Sequence, residues 1–135
     1  MLSMDYLFDT KALVALFDGE RGAERVKEMI EDVEGGKALG CISAVTLSEV
    51  YYIYARKRKL SVAKERIEQI AASNLKIIPV DEKVAVKAGE YRLMVMPLAD
   101  ALIAACAYFA SAKVVTNDKH FDKPGIEAID FSRRA

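Results

Sequence analysis

The chain has 135 residues, enough for one domain with a proper hydrophobic core. Its 20 basic and 20 acidic residues exclude a globally basic nucleic-acid-binding surface, so a polyanion would need a local basic patch. No N-terminal segment has the pattern of an export signal, and the longest apolar run, residues 101–110, is too short to span a bilayer. We therefore expect a cytoplasmic protein with a single domain over residues 1–135. Cys41 and Cys106 lack C-x-x-C spacing and are expected to be buried thiols.

Short apolar runs alternate with helical periods in the first half of the chain. Gly19 and Gly22 separate the first two helices, and Gly35-Gly36 ends the second. In chain order the predicted elements are a strand (Tyr6–Phe8), a helix (about Lys11–Phe17), a helix with an apolar stripe from Val26 to Val33, a strand (Leu39–Ser43) and a helix with a stripe from Leu47 to Tyr54.

The second half continues this alternation. First come a helix capped by Ser61, with an apolar stripe from Ala63 to Ala71, and a strand (Leu75–Ile78). A helix capped by Asp81 then reaches about Val95, and an almost entirely apolar helix begins near Pro97. Strands over Lys113–Thr116 and Glu127–Phe131 complete the chain. Strands separated by helices are typical of an α/β fold, with a parallel sheet and helices on both faces. Ligands bind such sheets beyond the carboxyl ends of the strands, where the winding direction reverses.

Two aspartates follow predicted strands. Asp9 comes directly after the first strand, and Asp118 follows the fourth. If these strands are neighbours at the reversal point, both carboxylates face one crevice. A helix cap is the alternative interpretation of Asp9, and turn formation is the alternative for the segment Thr116–Asp118.

Two further acids lie on predicted helices. Glu49 lies off the apolar stripe of its helix, and Asp100 lies in the first turn of the apolar helix, among alanines. Alone, each also fits a structural explanation, as a solvated residue or as a charge that favours a helix N-terminus. Four carboxylates in one pocket raise each other's pKa, and a Mg²⁺ or Mn²⁺ ion resolves that conflict. Such an ion activates water and polarises phosphoryl oxygens.

Four segments, LFDTKAL, SAVTLSEV, LADALIAACA and VVTNDKHF, resemble the signature blocks of the PIN-domain family, in that family's order. The compact length resembles its VapC-type toxin members. The resemblance implies a five-stranded parallel sheet in the order 3-2-1-4-5 and a metal-dependent ribonuclease acting on single-stranded RNA. It assigns catalysis to Thr116 and to four acids that also bind the metal: Asp9, Glu49, Asp100 and Asp118. Lys11 departs from the family, which more often has Ser or Asn there.

An RNA substrate and a protein partner would each need contact residues on the surface. Local positive or polar contacts for RNA are predicted at Lys11, Arg56, Asn117 and Lys119. His120 is the only histidine, too few for a zinc site, and is expected at the surface or as a minor substrate contact. The resemblance also implies an antitoxin with a basic inhibitory segment, whose arginine enters the acidic pocket. It implies a toxin homodimer as well, for which the helix around Tyr51–Tyr54 is the candidate contact.

Two other functions stay open. A non-catalytic RNA-binding module with a degenerate site would share the fold, although it has no need of four carboxylates that repel phosphate. A phospho-receiver domain would share the size, the sheet and the Mg²⁺-binding acids. It requires an acid pair at the end of the first strand and an acceptor aspartate after the third. Here Asp5 precedes the first strand, and Asp81 is typical of a helix cap.

Overall fold

The structure, a computed structural model, describes residues 3–133, so the outermost two residues at each end of the predicted domain lie outside it. Within this range five strands and six α-helices alternate. In chain order they are β1 (Tyr6–Phe8), α1 (Thr10–Asp18), α2 (Ala23–Glu34), β2 (Gly40–Ser43), α3 (Ala44–Lys57), α4 (Leu60–Ala72), β3 (Lys76–Ile78), α5 (Glu82–Arg92), α6 (Leu98–Ala110), β4 (Lys113–Thr116), a 3₁₀ turn (Lys119–Phe121) and β5 (Ala128–Asp130).

The strands form one parallel sheet in the order β3-β2-β1-β4-β5. This confirms the predicted fold class and strand order. In the centre of the sheet, Tyr6 of β1 is paired with Gly40 of β2, and Phe8 is paired with Val115 of β4. The chain winds toward β3 first and toward β5 last, so β1 and β4 lie at the reversal point, and the residues after both strands meet at one edge.

Helices cover both faces of the sheet because successive strand residues point in opposite directions. Leu7 of β1 packs in a core with residues of α5 and α6, whereas Phe8 packs in a second core with residues of α1 to α4. Gly40 allows the second core to close, since a Cβ there would lie 2.7 Å from Cγ2 of Val33 on α2. None of the helices between residues 3 and 133 is long and apolar enough to cross a membrane. Both cysteines are buried free thiols, as predicted.

Some helix ends differ from the prediction. Ser61 does not cap α4, because the carbonyl of Lys59 already accepts the first helical hydrogen bonds and the helix begins directly after it. Helix α5 ends at Arg92 rather than near Val95, where the chain turns with a φ of 63°. Asp81 does cap α5, as predicted, by accepting a backbone N–H of its first turn.

Candidate active site

Asp9 lies at the junction of β1 and α1 and is almost completely buried, with 2 % of its surface exposed. Its Oδ1 accepts the backbone N–H of Ala12 at 2.9 Å, so Asp9 is the N-cap of α1. Its Oδ2 accepts the hydroxyl of Thr116 at 2.5 Å, across the boundary between β1 and β4. The two interpretations of Asp9 are therefore compatible, because one oxygen caps the helix while the other faces the carboxyl end of β4.

Thr116 connects Asp9 to the loop that carries Asp118. The Thr116 hydroxyl donates to Asp9, and the same oxygen accepts the backbone N–H of Asp118 at 2.9 Å. The Asp118 carboxylate then accepts the backbone N–H of His120 at 2.9 Å, which starts the 3₁₀ turn. This chain of hydrogen bonds orders the segment after β4 relative to the end of β1.

The acids at this edge have different protonation tendencies. Burial raises the pKa of Asp9 to about 7, against the hydrogen bonds from Thr116 and Ala12, and the charges of Asp100 and Asp118 add to the rise. Burial and the Asp118 charge also raise the pKa of Asp100. Burial opposes ionisation of Asp118 too, but the His120 N–H and the Lys11 ammonium outweigh it, so the pKa of Asp118 is lowered.

Lys11 and His120 supply positive or donor groups to the acids. Lys11 Nζ lies 3.3 Å from Asp118 Oδ2, although its side chain is 58 % exposed. His120 Nδ1 lies 2.9 Å from Asp118 Oδ1 and 3.1 Å from Asp100 Oδ2. His120 is a surface residue, as expected, but its bridge to two carboxylates was not predicted. Its ring is half exposed, but the turn after Asp118 directs Nδ1 at both carboxylates.

Glu49 reaches the same pocket from α3. Its Oε1 accepts the hydroxyl of Thr10 at 2.5 Å, and Thr10 Oγ1 also lies 3.2 Å from Thr46 Oγ1. After burial and the Asp118 charge, the negative charge of Glu49 also contributes to the raised pKa of Asp100. The buried pair Thr10 and Thr46 was not predicted. The signal was the position of Thr10 directly after Asp9 and of Thr46 one helical turn before Glu49.

The four candidate RNA contacts fall into two groups. Lys11 lies at the acids, and the exposed residues Asn117 and Lys119 flank Asp118. Arg56 lies about 10 Å along α3 from Glu49, since seven residues separate them on the helix. Its guanidinium contacts Tyr52 rather than the acids.

Three of these side chains could share one metal ion. Nδ1 of His120 and one carboxylate oxygen each of Asp100 and Asp118 lie within 4.8 Å of one another. This donor set suits a divalent cation. Burial and the charges of neighbouring carboxylates raise the pKa of Asp9 and of Asp100, which gives a cation an electrostatic reason to bind. Asp9 and Glu49 lie beside this group, with an oxygen of each held by a threonine.

The PIN domain family model matches residues 6–127. This chain belongs to the PIN-domain family. The resemblance seen in the sequence is thereby confirmed. The match also removes the phospho-receiver alternative, which the geometry disfavours as well: the Asp5 carboxylate accepts the N–H of Leu39 at 2.7 Å, at the amino end of β1.

Solved structures share the fold of this PIN domain over nearly its full length. VapBC2 of Rickettsia felis, bound to a DNA fragment from its promoter, matches with a TM-score of 0.77 and 22 % identity, covering 93 % of this chain and 98 % of that one. DNA-bound VapBC of Salmonella typhimurium matches with a TM-score of 0.76 and 22 % identity, covering 97 % of this chain and 99 % of that one. VapC20 of Mycobacterium tuberculosis, a toxin that cleaves the sarcin-ricin loop, matches with a TM-score of 0.72 and 15 % identity. The match covers 93 % of this chain and 98 % of that one. No curated protein gives a significant sequence match.

The raised pKa of Asp9 predicts how stability depends on pH in the metal-free protein. Between about pH 4 and pH 7 the folded chain retains a proton on Asp9 that the unfolded chain has lost, so stability falls as pH rises through this window. Asp9→Asn removes that penalty and retains a residue that caps helices. At pH 8 in EDTA we expect its thermal midpoint to exceed that of the wild type by about 4 °C or more.

The difference should shrink toward pH 4, where Asp9 is protonated in the folded wild type. Asp122→Asn, an exposed acid on the same loop, controls for the loss of one charge. Thermal unfolding of the three proteins from pH 4 to pH 8 measures the effect. A difference between Asp9→Asn and wild type that grows toward pH 4 would contradict the raised pKa.

Proposed function

We propose that this PIN domain is a cytoplasmic, metal-dependent endoribonuclease that cuts single-stranded RNA, and that it is the toxin of a VapBC-type toxin–antitoxin pair. The observation that supports this most is the convergence of four acids from separate elements at the carboxyl ends of β1 and β4. The likeness to VapC-type structures supports the toxin assignment, since those proteins have the same fold over nearly the same length.

Asp9, Asp100 and Asp118 would hold a Mg²⁺ or Mn²⁺ ion, and Glu49 would bind the attacking water or a second ion. A bound ion would lower the pKa of water and polarise a phosphoryl oxygen of the substrate. Thr116 holds Asp9 in place by donating its hydroxyl, so that the carboxylate does not rotate away from the edge of the sheet. Thr10 holds Glu49 in a similar way, since its hydroxyl donates to the Glu49 carboxylate.

The RNA backbone would be bound by residues around the acids. The exposed Lys11 ammonium would exchange its contact with Asp118 for a phosphate oxygen once a metal ion neutralises that carboxylate. Asn117 and Lys119 lie on either side of Asp118 and would contact the adjacent nucleotides. Arg56 would contact the strand further from the cleavage position. This local set of contacts is consistent with a chain that has no overall positive charge.

Cleavage tests this proposal directly. Wild-type protein should cut a fluorescently labelled single-stranded RNA in Mg²⁺ or Mn²⁺ and not in EDTA. Asp9→Asn should reduce the rate by about 100-fold or more, because the metal loses a charged ligand. Asp122→Asn is the matched control, since it removes an exposed acid from the neighbouring turn and should cut normally.

Two results would count against the nuclease. If Asp9→Asn cuts at the wild-type rate, Asp9 is a helix cap without a catalytic role. If the wild type binds RNA equally well with and without metal and releases no product, the alternative of a non-catalytic RNA-binding module is correct.

The acidic pocket also suits an inhibitory arginine from an antitoxin. It already accommodates two basic side chains of this chain, Lys11 and His120, beside Asp118. A guanidinium can bind carboxylates through two parallel hydrogen bonds and stays charged at all physiological pH values, so it would compete with the metal for the same oxygens. Two of the matched structures are VapBC proteins bound to DNA, which supports a partner that also carries a DNA-binding module.

Replacing that arginine of the antitoxin by alanine should therefore restore RNA cleavage by the complex. With the unmodified antitoxin, inhibition should weaken as the Mg²⁺ concentration rises, because metal and arginine compete. A ribonuclease assay of the purified complex across a Mg²⁺ series measures both effects. Inhibition that is unchanged by the arginine substitution and by Mg²⁺ would exclude this mechanism and leave the nuclease assignment intact.

A homodimer remains part of the proposal, with the contact on α3. Tyr54 is fully buried and donates its hydroxyl to Asp18 at 2.9 Å, so it is not available to a second subunit. Tyr51 and Tyr52 are 37 % and 60 % exposed, which narrows the candidate contact to these two residues. Light scattering should give the mass of a dimer for the wild type and of a monomer for Tyr51→Ser/Tyr52→Ser.

Tyr108→Ser, which changes a tyrosine on α6 that is 53 % exposed, is the control and should remain dimeric. A double variant that stays dimeric, or a control that dissociates, would place the contact elsewhere.

A further inference from the structure

The 3₁₀ turn after β4 directs the imidazole of His120 back at the acids. Asp118 Oδ1 accepts the backbone N–H of His120 and lies 2.9 Å from its Nδ1, so one carboxylate oxygen fixes both the turn and the ring. Nδ1 also lies 3.1 Å from Asp100 Oδ2. The ring therefore presents one nitrogen to two carboxylates that approach it from different elements, α6 and the loop after β4.

These separations agree with those between ligands of one metal ion. In an octahedral shell with bonds of about 2.1 Å, neighbouring ligand atoms are about 3.0 Å apart. The two contacts of Nδ1 match that distance, and all three ligand atoms lie within 4.8 Å of one another. An ion could thus lie between Nδ1 and the two carboxylates with only small side-chain movements.

The two oxygens of Asp118 have separate partners. Oδ2 lies 3.3 Å from Lys11 Nζ, whereas Oδ1 lies against His120. The ammonium has no lone pair to offer a cation, so Lys11 cannot be a ligand while it remains charged. The metal-binding side of Asp118 is therefore the side that His120 shares.

We propose that His120 Nδ1 is a ligand of the catalytic ion together with Asp100 and Asp118, and that the site consequently selects a first-row transition ion such as Mn²⁺ over Mg²⁺. The inference rests on the metal site of the proposed function and adds a nitrogen ligand to it. Imidazole binds first-row transition ions well, whereas Mg²⁺ strongly prefers carboxylate and water oxygens. Replacing one oxygen ligand by a nitrogen therefore lowers the relative affinity for Mg²⁺.

The chain offers a direct readout because His120 is its only histidine. In protein without a histidine tag, any imidazole nitrogen bound to Mn²⁺ must come from His120. Pulsed electron paramagnetic resonance of the Mn²⁺-loaded wild type should show the ¹⁴N coupling of a directly bound imidazole. His120→Asn should lose that coupling.

Calorimetric titration gives the selectivity. His120→Asn should weaken Mn²⁺ binding by about tenfold or more and Mg²⁺ binding by less than about threefold. Asp122→Asn, two residues further along the loop, is the matched control and should bind both ions like the wild type. Because His120 is half exposed, the variant should fold, and its thermal midpoint in EDTA checks this.

Three outcomes would overturn the inference. Mn²⁺ that binds without ¹⁴N coupling shows that His120 forms only hydrogen bonds, and the proposed nuclease is unaffected. Equal losses of Mn²⁺ and Mg²⁺ affinity in His120→Asn show that the residue does not set selectivity. A wild type that binds neither ion contradicts both the inference and the metal-dependent nuclease.

Discussion

The hydrogen bond between the Thr116 hydroxyl and the Asp9 carboxylate joins the ends of the two central strands, and the site is arranged around it. It requires β1 and β4 to be neighbours in register, which the sheet order provides. It also offsets part of the cost of burying a carboxylate where only 2 % of the residue is exposed. The remaining oxygen of Asp9 caps α1, so the same residue positions the helix that carries Lys11 and Thr10.

The electrostatics of the site follow from unequal burial and unequal partners. Asp9 and Asp100 are disfavoured as anions by burial and by the charges of neighbouring carboxylates, whereas Asp118 has Lys11 and His120 beside it. The pocket therefore favours additional positive charge, and a divalent ion or an arginine can provide it. In the proposed function the same carboxylates therefore bind the catalytic metal ion and the inhibitory arginine. The protein's own Lys11 and His120 are the groups that such a cation would displace or recruit.

Much of the fold was predictable because apolar runs and helical periods are local properties of the sequence, and the strand order followed from family resemblance. The contacts of His120, by contrast, depend on a short turn that returns the chain to Asp118, and "TNDKH" does not specify that geometry locally. The buried pair Thr10 and Thr46 depends on how α1 packs against α3, which no periodicity reveals. The start of α4 at Leu60 rather than after Ser61 shows that a good capping residue does not by itself set a helix end.

In the proposed function, the acids at the ends of β1 and β4 form one metal site. The most direct measurement is the anomalous difference map of a crystal soaked in Mn²⁺. We expect a strong peak within about 2.5 Å of carboxylate oxygens from at least two of Asp9, Asp100 and Asp118. The absence of a peak at these carboxylates under saturating Mn²⁺, or a strong peak only elsewhere on the protein, would contradict it.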